Sequence, residues 1–135
     1  MIKEFDMEEV RKCMLPFYFK AKGMTRAARN NYLKSKICVI AHRFGLTGYM
    51  KYPCDYTTPK GELKHGYIDV AWLDDNNNVV LAIEVDDCIN LRSLIKLNTI
   101  KASNKIWFYY GKKDNKFEKV SSIYNSNNSI EVIRP

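Results

Sequence analysis

The sequence predicts an α/β domain in which a mixed β-sheet is flanked by helices. Three observations carry this reading. Leu33, Ile37, Ile40 and Phe44 recur at helical spacing and are followed at once by Gly45, a common helix stop. After that glycine the period changes to two, most clearly over Gly66–Leu73 and Val79–Asp86, separated by the turn Asp74-Asp75-Asn76-Asn77-Asn78. A further helical stretch opened by Asn90 then leads into the apolar run Lys105–Tyr110.

Taken in order, residues 3–14 predict a short amphipathic helix ended near Pro16. Thr25 has the hydroxyl expected of a helix N-cap. Arg26, Arg29, Lys34, Lys36 and Arg43 crowd the surface around the apolar stripe of the helix it opens. Gly48–Tyr56 predicts a strand near a sheet edge, because Pro53 cannot donate to a ladder. Thr57–His65 reads as a turn around Pro59 and Gly61. Within Gly66–Leu73, alternation puts Ile68, Val70 and Trp72 on one face and Tyr67, Asp69 and Ala71 on the other. Leu91, Leu94, Ile95 and Leu97 predict a helix from Asn90 to about Ala102. A weaker helix through Phe117, Val120 and Ile123 precedes a last strand, Ile130–Ile133. Trp72 and Trp107 read as core.

A chain of 135 residues is expected to form one domain spanning 1–135. Its 46% hydrophobic and 27% charged residues are ordinary for a globular protein. No apolar run approaches a membrane span, and Met1–Asp6 lacks the apolar stretch of a secretory signal, so the expectation is a cytoplasmic protein without a membrane partner. Cys13, Cys38, Cys54 and Cys88 stand too far apart for a zinc motif and are expected as buried free thiols. The net charge is +7, unevenly spread: from Arg11 to Lys64 there are twelve Lys or Arg against two acids, and from Gly66 onward nine against nine. A basic first half points to a face for polyanions, unless it serves only as a solubilising surface.

The chemistry-bearing feature is the placement of acids on the central hairpin. Val79, Leu81, Ile83 and Val85 are apolar, so Glu84 and Asp86 leave the other face of the same strand. Asp69 is the single acid in an otherwise apolar strand, a position costly for a carboxylate unless something neutralises it. Three converging carboxylates repel one another without a cation between them, and Mg²⁺ takes such hard oxygen ligands while keeping several waters. The alternative is that these acids pair with Lys or Arg at the end of the sheet.

Asp69, a hairpin turn, and Ile83-Glu84-Val85-Asp86 followed by a helix and a strand resemble the core of the PD-(D/E)XK nuclease superfamily, over roughly residues 25–111. The resemblance implies a restriction endonuclease-like fold and metal-dependent hydrolysis of phosphodiesters in DNA. Asp69 matches the first Asp and Glu84 the second acid, while Asp86 stands where the motif has lysine. It implies that Asp69, Glu84 and the Val85 carbonyl hold Mg²⁺ or Mn²⁺, with Asp86 adding a ligand or orienting water. Lys96, with Arg92 one turn before it, is the candidate for a lysine moved to the following helix; otherwise it is an ordinary solvated lysine. Arg26, Arg29, Lys36, Lys51, Lys64 and Arg92 are the expected nucleic-acid contacts. Tyr49, Tyr52 and Tyr56 either stack on bases or pack, and His65 lies at the site rim or on open surface. A homodimer covering two DNA strands is expected. The other functions weighed are a nucleic-acid-binding module that does not cut, and a dimeric protein-interaction domain.

Overall fold

The structure, a computed structural model, describes residues 5–112 and 115–135. It is α/β: a five-stranded mixed open sheet with helices on both faces. The order of elements is α1 (Met7–Lys20), α2 (Arg26–Val39), β1 (Thr47–Thr57), β2 (Leu63–Leu73), β3 (Val79–Asp86), α3 (Leu91–Thr99), β4 (Asn104–Tyr109), α4 (Asn115–Tyr124) and β5 (Glu131–Ile133). Sheet order follows chain order; β1, β2 and β3 are antiparallel neighbours, while β4 and β5 add in parallel. Among the described residues no helix is long and apolar enough to cross a membrane.

The Asp6 carboxylate opens α1 by accepting the Glu8 N–H at 3.0 Å, and Glu8 and Glu9 complement the positive end of the helix. The first residues of the helix expected at 3–14 lie outside the described residues. Its predicted stop is overturned: Pro16 sits inside α1, which runs on to Lys20. Proline removes one backbone donor, but Phe17 and Tyr18 beyond it pack against the core and hold the next turn in place. In α2 the Thr25 hydroxyl accepts the Ala28 N–H at 3.3 Å, and the helix tightens into a 3₁₀ turn over Ile40–Phe44 before Gly45 ends it at φ 74°. The third helix, α3, stops at Thr99, three residues short of Ala102. There the Thr99 hydroxyl bonds back to the Ile95 carbonyl at 2.7 Å, and Ile100 is already extended.

Two apolar layers sandwich the sheet. Val10 and Met14 of α1 and Leu33 and Ile37 of α2 pack on Val70, Trp72, Leu81, Ile83, Val85, Ile106 and Phe108. On the other face Leu94 and Leu97 of α3, with Phe117 and Val120 of α4, cover Ile68, Ala71, Ala82 and Trp107. The tryptophans are both fully buried, as expected, and Trp72 donates its indole N–H to the Ile37 carbonyl at 3.0 Å. Of the four free cysteines only Cys54 is buried; Cys13 and Cys38 are half-buried and Cys88 is exposed, which corrects the expectation of buried thiols throughout.

These layers also correct the alternation assigned to β2. Val70 and Trp72 face α2, but Ile68 faces α3. The faces exchange at Asp69. Met50 pairs with Val70 and Tyr52 with Ile68, while Lys51, between them on β1, lies at φ 54° in the left-handed region. A left-handed residue interrupts the pleat and turns the next side chains along the strand to new directions. Pairing of β2 with β3 begins only at Val70–Ile83, so the Leu63–Asp69 half of β2 diverges from the end of β3. The turn expected over Thr57–His65 shrinks accordingly to 58–62, closed by the Thr58 N–H on the Glu62 carbonyl at 2.9 Å. The fork between the diverging strands is where the acids gather.

Candidate functional site: a carboxylate–lysine cleft

Asp69 sits at the fork, and its two oxygens are held from different sides. Oδ2 accepts the Val85 backbone N–H at 2.8 Å, so the carboxylate fills the ladder position left open where β2 departs. Oδ1 faces the Lys34 ammonium of α2 at 3.3 Å. Beside it, Glu84 is only 1% exposed. Its Oε1 lies 2.9 Å from Lys96 Nζ, reaching in from α3, yet it has no partner in hydrogen-bond geometry among the described residues. Lys96 directs its bond instead to the Tyr67 carbonyl, at 2.7 Å.

Burial, reinforced by the neighbouring Asp69 charge and by hydrogen bonding between the two carboxyls, pushes Glu84 up to about 9, against the opposing pull of Lys96. Near neutral pH Glu84 is therefore held in its protonated form beside Asp69. The Asp86 carboxyl is also raised, by burial above all, despite the Trp107 indole N–H that it accepts at 2.9 Å. Asp87, on the rim, is lowered by Arg26, whose guanidinium grips both of its oxygens, Nη2 to Oδ1 at 2.9 Å.

These groups line a cleft of about 480 Å³ whose other wall is one flank of α2. Arg26, Asn30 and Lys34 reach it at intervals of four residues, the spacing that stacks side chains on one helix face. Asn30 ties the walls together, donating to the Val85 carbonyl at 3.3 Å and to the Tyr110 hydroxyl at 3.1 Å.

Of the expected site residues, Asp69, Glu84, Val85, Asp86 and Lys96 all line this cleft, but the three carboxylates do not converge on one point. Asp86 is tied to Trp107, and among the described residues no group of three His, Cys, Asp or Glu is placed to hold a metal ion. The groups that do come together are the pair Asp69–Glu84, each with a lysine of its own. The expected polyanion track separates. Arg26 reaches the cleft, whereas Arg29 is turned to the carbonyls of Ala21, Lys22 and Met24 at 3.0–3.2 Å and ties the α1–α2 connection. Lys36 is exposed over the Tyr32 ring, on the flank of α2 away from Asn30 and Lys34. Lys51 is exposed at the strand kink, Lys64 pairs with Glu62 at 3.3 Å, and Arg92 is exposed on α3. Tyr56 is buried and Tyr52 half-buried, both packing residues, while Tyr49 is exposed. His65 is also exposed and pairs with Asp55 at 2.9 Å.

Residue type and spacing alone assign no role here to Lys34, Asn30 or Asp87. The four-residue ladder Arg26, Asn30, Lys34 is the signal in the sequence that marks the first two. Comparison with family models, with curated proteins and with solved structures returns no match for this chain.

Proposed function

We infer that the cleft is the active site of a metal-dependent DNA endonuclease of the PD-(D/E)XK type, with Asp69 and Glu84 as the cation-binding pair. The observation that carries this reading is Glu84: a carboxyl 1% exposed, whose Oε1 meets the Lys96 ammonium outside good hydrogen-bond geometry, beside a second carboxylate at the mouth of a strand fork. A buried acid beside a half-buried one is costly to ionise, and a divalent cation relieves that cost directly.

The donors fit a hard ion. Asp69, Glu84 and Val85, whose carbonyl also accepts from Asn30, border one cleft, and Mg²⁺ or Mn²⁺ binds such partial oxygen sets with water completing the shell. When bound, the ion supplies polarisation of the phosphate and a lowered pKa for water. The protein supplies the rest. The Val85 N–H fixes the rotation of Asp69, Lys96 braces Glu84, and Trp107 holds Asp86 at the cleft wall, where it can orient a water. Arg26, on the rim and paired with Asp87, is the residue that would exchange that partner for a backbone phosphate.

A second reading, nucleic-acid binding without cleavage, is favoured by one specific feature: lysines already stand where a cation would, Lys34 against Asp69 and Lys96 against Glu84, and Asp86 holds the place of the motif lysine. Incubation with branched, nicked, single-stranded and duplex DNA, with Mn²⁺ or with chelator, separates the two. Cleavage that requires Mn²⁺ and is lost in Glu84→Gln supports the endonuclease. Retention of DNA without cleavage of any form supports the second reading.

A further inference from the structure

Two lysines enter the cleft from opposite faces of the sheet, and their surroundings differ in a way that assigns them different work. Lys96 comes from α3 with its side chain 14% exposed, and its ammonium lies between the Tyr67 carbonyl at 2.7 Å and Glu84 Oε1 at 2.9 Å. An ammonium held this way between a carbonyl and a buried carboxyl is directed inward, away from the open cleft. Lys34 comes from α2 with its side chain 25% exposed, and among the described residues Asp69 Oδ1 is its one ion-pair partner, at the longer distance of 3.3 Å. It stands third in the ladder Arg26, Asn30, Lys34, about 12 Å from Arg26 along the helix by its rise. Asn30 is committed to Val85 and Tyr110 and Arg26 to both oxygens of Asp87, so the Lys34 ammonium is the more loosely held cation of the ladder.

We propose that Lys34 is the residue that contacts a phosphate of the bound DNA strand beside Asp69, and that Lys96 is a positioning residue acting through Glu84. The assignment rests on the endonuclease reading and adds a coupling to it. Asp69 Oδ2 already accepts the Val85 N–H, which leaves Oδ1, the oxygen that Lys34 faces, the better donor for a cation, and a cation held there repels the Lys34 ammonium and displaces it. The displaced ammonium remains in the cleft, short of a counter-charge, where an incoming phosphate supplies one. Cation and DNA therefore bind with positive cooperativity, and Lys34 transmits it. Lys96 keeps its carbonyl partner throughout and takes no part in the exchange.

The test measures equilibrium binding of a labelled oligonucleotide, single-stranded and duplex, in Ca²⁺ and in chelator at matched ionic strength, alongside the unfolding temperature in Ca²⁺ without DNA. The wild type is expected to bind DNA at least about fivefold tighter in Ca²⁺, the lower end of ordinary coupling. Lys34→Met should lose that gain and reduce the salt slope of binding by about one. Its unfolding temperature should still rise in Ca²⁺, because the carboxylates remain and a competitor for Oδ1 has gone. Lys96→Met should keep the gain. Lys34→Gln, which retains a polar partner for Asp69, replaces Lys34→Met if the latter does not fold. An undiminished gain in the Lys34 variants, or its loss in Lys96→Met alone, overturns the assignment. A wild type whose unfolding temperature rises in Ca²⁺ and which binds DNA without any gain overturns the coupling and leaves the endonuclease reading standing. A wild type that binds no DNA under either condition removes both.

Discussion

Replacing Glu84 by glutamine gives a protein whose stability depends on pH differently from the wild type, and the site sets the size of the difference. Glu84 is 1% exposed and lies beside Asp69, so its carboxyl titrates near 9 in the folded chain, against an ordinary value of 4.5. A folded-state value raised above the unfolded one means that the unfolded chain releases the proton first. The contribution of Glu84 is thus fully present below about pH 4.5 and is lost progressively as pH rises to about 9. Inside that window one proton separates the two states, and the slope is about 1.4 kcal/mol per pH unit. The amide of Glu84→Gln fits the same space, can donate to Asp69 as the protonated acid does, and does not titrate. Urea unfolding of both proteins at pH 6, 7 and 8 therefore isolates this one group, since every other titration is common to the pair. Wild-type stability should fall relative to Glu84→Gln by roughly 3 kcal/mol from pH 6 to pH 8. A difference between the two proteins that stays constant over that range refutes the argument, because it places the Glu84 titration outside the window.

Other parts of the fold respond to substitution in equally specific ways. Gly48→Ala would put a Cβ 2.1 Å from the Cys38 carbonyl oxygen at the α2–β1 contact, so urea unfolding should show a loss on the order of 3 kcal/mol or no folded protein at all. Trp107→Phe keeps an aromatic ring but removes both the donor to Asp86 and part of the buried indole volume; stability should drop by about 2–4 kcal/mol at pH 7, and the Asp86 carboxyl should rise further, as followed by carboxyl NMR. Arg26→Ala frees Asp87 at the cleft rim, so DNA binding should weaken evenly across sequences, with a salt slope smaller by about one in a titration by fluorescence anisotropy.

Much of the framework is legible in the chain because it rests on local rules. The apolar run Val79–Val85 marks β3, with Leu81, Ile83 and Val85 in one layer as their spacing dictates and Val79 in the other, and Thr25 and Asn90 cap α2 and α3. The pair Asp69–Glu84 is legible for the same reason: a carboxylate in an apolar strand needs a partner. Other features depend on tertiary context. Nothing in the residue type marks Lys51 as left-handed, so the exchange of faces at Asp69 cannot be read from alternation, and Ile68 is assigned to the wrong layer. Pro16 reads as a stop because its missing donor is a local fact, whereas the packing that carries α1 past it is not. Arg29 and Lys34 look equivalent in a basic helix. Their placement on opposite flanks of the buried stripe makes one a tie between backbone carbonyls and the other a cleft residue.

Calorimetric titration of the wild type with Mn²⁺, in two buffers of different ionisation enthalpy at pH 7, reads the cation site directly. Because Glu84 is held protonated up to about 9, a cation that binds Asp69 and Glu84 must displace that proton. Saturable binding with release of about one proton per ion, absent in Glu84→Gln, is the expected result. Saturable binding that is unchanged in Glu84→Gln, or no binding by the wild type, would contradict a cation site at the Asp69–Glu84 pair.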